Sequence, residues 1–158
     1  MHAFRQEARG SYSWIGTTPD GPVDVGLSYN KAEDLGVPND LLACLEHGEP
    51  FVEYGVVEYR YATTGNPSVY KQLVDDYGHT ALGPKQYTAS AFIAATLGRM
   101  EKEGTLAYKY DKATGFWSYN GGISYWALRP ASSDAPPLTF ETFARGAGFD
   151  PKSWPPLG

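Results

Sequence analysis

Three histidines, one cysteine and a few paired acids are the residues with which this chain could do chemistry. His2, His47 and His79 lie in separate segments without the HExxH spacing that places two imidazoles on one helical face, so a metal site would have to be assembled wholly by the fold. Ordinary surface histidines are the simpler reading. Cys44 stands three residues before His47, but a nucleophile needs a base in hydrogen-bond reach and a third group to orient it. Sequence proximity supplies neither, and the burial habit of cysteine favours a structural role. Asp75 and Asp76 point in different directions on a helix and read as a solvated face, as do the acids around Glu46 and Glu49. There is no GxSxG, P-loop or GxGxxG motif. The chain gives no positive reason to expect an enzyme, a cofactor or a metal.

The residues with binding chemistry are basic, and their distribution says more than the net charge of −5. Residues 1–66 hold four Lys/Arg against ten Asp/Glu, residues 67–130 hold seven against five, and residues 131–158 hold two against three. The middle segment is the positive one, and its Lys85, Gln86, Arg99, Lys102, Lys109 and Lys112 could contact phosphates if the fold lines them up. A solvated surface is the competing reading.

Those residues must be positioned by helices and strands. Hydrophobic residues make up 42% of the 158-residue chain and aromatics 15%, enough for one core or for two small subdomains sharing an interface. Residues 11–18 and 23–29 read as an antiparallel hairpin across the Pro19-Asp20-Gly21-Pro22 turn. Pro38 fits the first turn of a short helix with Leu41, Leu42 and Leu45, and the Val- and Tyr-rich run 51–62 reads as a strand. Thr63 to Pro67 breaks the pattern. Ser68 can cap a helix ending at Gly78, and Ala89, Ile93, Leu97 and Met100 give a longer helix stopped by Gly104. Between them, Gly83-Pro84 either breaks a short helix or opens a long one. Strands are predicted over 105–110, 115–119 and 122–128, with Asn120-Gly121 as a two-residue turn. The reading is α+β, with an acidic β-rich part (1–66), a helix-helix-hairpin part (67–130) and an aromatic tail (131–158).

The run Leu97-Gly98-Arg99-Met100-Glu101-Lys102-Glu103-Gly104-Thr105-Leu106 resembles the end of the recognition helix and the entry to the first wing strand of winged-helix DNA-binding domains. The resemblance covers residues 67–129. It implies base-reading residues on the outer face near the start of the second helix, here Thr88, Ser90, Ala91, Ala94 and Ala95. These are poor readers, because Arg, Lys, Asn and Gln supply most direct contacts to base edges.

The predicted hairpin register puts Leu106, Tyr108, Tyr110, Phe116, Ile123 and Tyr125 on the core face and Lys109, Trp117, Tyr119 and Trp126 on the other. An aromatic face of that size needs a cover, and the tail residues Phe140, Phe143, Phe149 and Trp154 could supply it. Two functions remain open. One is a winged-helix regulator of transcription that binds double-stranded DNA. The other is a non-catalytic protein-interaction module, with a protein partner or as a homodimer, that uses Trp117, Tyr119 and Trp126 as an exposed aromatic surface. With no run of about 18 apolar residues and no apolar leader, a cytoplasmic protein without a membrane span is expected.

Overall fold

The computed structural model describes residues 2–8, 12–18, 28–79, 88–131 and 134–154, and Lys85 and Gln86 lie outside them. Strand β1 (His2–Ala8) pairs antiparallel with β2 (Tyr12–Thr18), Ala8 opposite Tyr12. Of the expected hairpin of 11–18 with 23–29, residues 23–27 lie outside the described residues. Only three residues separate β1 from β2, the spacing of a tight hairpin. Residues 19–27 are outside the described set, and Ser28 already begins helix α1 (Ser28–Asp34).

Helix α2 (Val37–Leu42) carries Pro38 in its first turn, where a missing N–H does no harm. Strand β3 is only Val52–Glu53 and passes into α3 (Tyr54–Arg60), a π-helical turn (Tyr61–Gly65) and α4 (Pro67–Tyr77). The strand predicted over 51–62 is therefore overturned beyond its first residues. β propensity is a weak prior that packing overrides. Here a helix lets Tyr54, Glu58 and Tyr61 share one buried side, and Gly55 lets the Trp117 indole lie where any Cβ would overlap it. Asn66, rather than Ser68, caps α4 by accepting from the Val69 N–H at 3.1 Å.

Helix α5 (Ala89–Lys102) ends at Gly104, whose φ of 87° suits glycine. Strand β4 (Leu106–Lys112) then pairs antiparallel with β5 (Gly122–Leu128), Leu106 opposite Leu128 and Lys112 opposite Gly122. Residues 115–119, expected as a strand, lie in a 3₁₀ helix (Gly115–Asn120), so Asn120-Gly121 is no two-residue hairpin turn. The reason is burial. Phe116 and Trp117 are both in the core, and a strand would send consecutive side chains to opposite faces. The corrected register puts Leu106, Tyr108, Tyr110 and Lys112 on a face with Ser124, Trp126 and Leu128, and Ala107, Lys109 and Asp111 with Ile123, Tyr125 and Ala127. β3 pairs with the other side of β5, so β4 is an edge.

After β5 the chain returns beside β3, where the Leu138 N–H donates to the Phe51 carbonyl at 2.8 Å, and it ends in α6 (Phe140–Ala147) and the segment to Trp154. Among the described residues the main apolar cluster runs from Ala32 of α1 to Ala144 of α6, and a small second one joins Phe51, Tyr125 and Ala127. The break at 63–67 lies inside the main one, between Tyr61 and Tyr70, whose rings meet edge to face at 6.2 Å. The fold is α+β, and among the described residues no helix is long and apolar enough to cross a membrane.

Candidate nucleic-acid interface

Of the residues expected on the outer face near the start of α5, Thr88 and Ser90 turn inward and the three alanines stay outside. Thr88 is buried and spends its hydroxyl capping the helix, accepting from the Ala91 N–H at 3.2 Å. The Ser90 hydroxyl turns inward and donates to Glu58 at 2.6 Å. The outer surface of α5 is left with Ala91, Ala94, Ala95 and Gly98, which offer no donors to base edges.

Cations begin at the other end of α5. Arg99 is half-buried and reaches Thr96 Oγ1 at 3.2 Å, and Lys102 is exposed in the last turn, where a positive charge complements the helix dipole. Three residues apart, they are neighbours on the helix surface. The hairpin cations lie elsewhere. Lys109 and Lys112 are on opposite faces of β4, the Lys109 ammonium sitting 5.4 Å from the Phe51 ring centroid and 5.9 Å from that of Tyr125. Lys112 is exposed at the far end of β4, six steps of about 3.3 Å, or roughly 20 Å, from Leu106 at its start. The structure therefore brings Arg99 and Lys102 together and sets Lys109 and Lys112 apart from them.

The aromatic surface expected of Trp117, Tyr119 and Trp126 is corrected too. Trp117 is 2% exposed and Trp126 4%, and Tyr119 is half-buried against the core. The tail residues Phe140 and Trp154 lie on Trp117 with ring centroids at 6.4 and 5.5 Å. The exposed rings are instead Tyr108 at 47% and Tyr110 at 64%, although they share a face with the buried Leu106 and Trp126. Tyr108 rests at 5.2 Å from Trp126, and Tyr110 lies over Gly122, where a Cβ would overlap its ring.

Two fully buried carboxylates, Glu58 and Glu53, were missed by sequence reasoning. Glu58 Oε1 accepts from the Tyr54 and Ser90 hydroxyls at 2.6 Å each, and Oε2 accepts from the Tyr70 hydroxyl at 2.9 Å and lies 2.8 Å from Nε2 of His79. Burial pushes this carboxyl up, but the hydrogen bond and charge of His79 and the bonds from Ser90 and Tyr54 outweigh it and hold it below the usual range. The His79 ring is closed over by Trp154, stacked at 5.2 Å, and by Phe116 at 6.2 Å. Glu53 Oε1 accepts from the Thr114 hydroxyl at 2.7 Å, the Phe140 N–H at 2.9 Å and the Tyr125 hydroxyl at 3.3 Å, while Oε2 accepts from the Thr114 N–H at 3.0 Å. Here burial prevails over those bonds, and the carboxyl is raised. The signal for Glu58 was its place four residues after Tyr54, visible only if the run is read as a helix.

What the arrangement can do chemically is limited by access. The Glu58 and His79 groups are sealed under aromatic rings, whereas Lys102, Lys112, Tyr108 and Tyr110 meet solvent. Among the described residues no group of His, Cys, Asp and Glu could hold a metal ion. Cys44 is buried, its thiol pushed up to about 11 chiefly by burial, which leaves it protonated and inert at neutral pH. Compared with protein-family models, with curated proteins and with solved structures, the chain finds no match.

Proposed function

We propose that the chain is a DNA-binding protein of winged-helix type, acting in transcription regulation, that holds nucleic acid through phosphate contacts from the C-terminal turn of α5 and from the β4–β5 hairpin. The observation that carries this reading is the segregation of charge. Residues 88–131, which form α5 and the hairpin, hold five Lys/Arg against three Asp/Glu, whereas residues 28–79 hold three against nine. A negatively charged strand is attracted to the first segment and repelled by the second. The order of helix, helix and antiparallel hairpin over residues 67–128 supports the winged-helix type.

With alanines and a glycine on the outer face of α5, binding is expected to be only weakly selective for duplex sequence, positioned by phosphates rather than by base edges. The protein-interaction alternative has lost its motivating surface, since Trp117 and Trp126 are buried. The test is a mobility-shift or anisotropy titration at about 50 mM salt, repeated as salt rises. Each of Lys102→Ala and Lys112→Ala should reduce the slope of log affinity against log salt by about one. No binding at low salt would end the proposal.

A further inference from the structure

From the exposed rings of β4 we infer that the hairpin is a stacking platform for an unpaired strand of nucleic acid, Tyr108 and Tyr110 each taking one base and Lys112 an adjoining phosphate. The inference rests on the nucleic-acid reading above and names the ligand of its hairpin.

Tyr108, Tyr110 and Lys112 alternate along one strand and share one face, and both rings are about half exposed or more. Each is also held in place. Tyr108 leans on the buried Trp126, and Tyr110 is laid across Gly122, so each ring has one side fixed by protein and the other turned to solvent. The residue opposite Tyr110 is the small Ser124, which leaves room above the ring. Residues two apart on a strand stand about 6.8 Å from each other. Adjacent bases in a duplex are stacked at about 3.4 Å and present their edges, not their faces, to a protein. Two tyrosines at this spacing cannot stack on neighbouring bases of a duplex, but they match a strand whose bases have been splayed apart. Aromatic platforms flanked by cations bind single strands in this way, with little sequence preference because every base has a π-face.

Charge selects this occupant over an uncharged one. Lys112 continues the tyrosine row, and Lys102 is exposed just before the strand begins. The Asp111 side chain belongs to the opposite face and accepts from the Lys112 N–H at 2.7 Å, which keeps it off the platform.

The experiment uses the full chain with fluorescein-labelled oligothymidine and oligouridine of about 12 nucleotides and a mixed-sequence duplex of the same length, by anisotropy. The single strands should bind more tightly than the duplex. Tyr110→Ala and Tyr108→Leu should each weaken single-strand binding by about ten-fold, the loss expected when one stacked base is lost. Tyr110→Phe, which keeps the ring, should bind like the parent. Circular dichroism melting of each variant identifies any that fails to fold, and Tyr108→Leu keeps an apolar contact with Trp126 for that reason. Duplex binding that equals or exceeds single-strand binding and ignores the tyrosines would overturn this inference and leave the phosphate reading standing. Absence of binding to all three probes would overturn both.

Discussion

Removing the Glu58 carboxylate should nearly abolish folding, and the size of the effect follows from its partners. In Glu58→Ala the Ser90 hydroxyl, the Tyr70 hydroxyl and Nε2 of His79 lose their shared acceptor, while the Tyr54 hydroxyl keeps the Ser90 carbonyl at 2.9 Å. A buried donor left without its acceptor costs about 1–3 kcal/mol, so Tyr70 and His79 together cost about 2–6 kcal/mol before the half-buried Ser90 and the lost volume are counted. Typical domains have about 5–15 kcal/mol in all. Glu58→Gln keeps one acceptor oxygen and should lose about 1–3 kcal/mol, as one mismatched group would. The assay is urea unfolding followed by tryptophan fluorescence and circular dichroism, repeated from neutral to acid pH. The folded-state pKa of Glu58 is depressed, so its stabilisation is fully present above the ordinary value of 4.5 and is lost as pH falls below it. The gap between the parent and Glu58→Gln should therefore be constant above about pH 5.5 and shrink in acid. A Glu58→Ala variant within about 1 kcal/mol of the parent would refute the account, because no rearrangement could satisfy the buried Tyr70 and His79 donors so cheaply.

Gly55→Ala, which in an exposed helix would stabilise by up to about 1 kcal/mol, should instead destabilise, because its Cβ would overlap the buried Trp117 indole; a raised melting temperature would contradict this packing. Glu53 has the opposite sign to Glu58: its folded pKa is raised, so its contribution is present below 4.5 and lost as pH rises through the raised value. Glu53→Gln, which cannot ionise, should accordingly gain on the parent in urea unfolding between about pH 4 and 7. Truncation after Pro130 removes Phe140 and Trp154 from Trp117 and should leave a chain that aggregates or lacks a cooperative melt; an unchanged melting temperature with a monomeric profile on gel filtration would count against the tail as a structural element. Gly121→Val places a β-branched residue at φ 77° and should lower the melting temperature by several degrees, consistent with a strain of about 1–3 kcal/mol.

Helices with their own local signals were legible. The Gly104 stop and the Ala89, Ile93, Leu97 and Met100 stripe placed α5 to within a residue or so, because capping and 3.6-residue periodicity are local physics. What tertiary contacts decide was not legible. The run after Phe51 is rich in Val and Tyr and reads as a strand, yet it folds as a helix so that Glu58 can meet Tyr70, His79 and Ser90, partners 12, 21 and 32 residues away. The Asn120-Gly121 pair looked like a tight turn, but the two adjacent buried aromatics before it demanded a helical turn. That one misreading put Tyr108 and Tyr110 on a face with Tyr125 and Ile123 instead of with Trp126 and Ser124, since a slip of a single residue exchanges the faces of a strand.

Glu53 also constrains the order of events as the chain folds. Its partners Thr114, Tyr125 and Phe140 lie 61, 72 and 87 residues downstream, so nothing close in sequence can satisfy the carboxylate. A nascent chain that buried β3 before α6 had left the ribosome would strand a charged oxygen in apolar surroundings, and solvent would keep that strand open. Contacts of such long sequence separation form slowly because loop closure must precede their reward. Helices α4 and α5, built from local contacts, can therefore form early, whereas the Glu53 contacts must wait for Thr114, Tyr125 and Phe140.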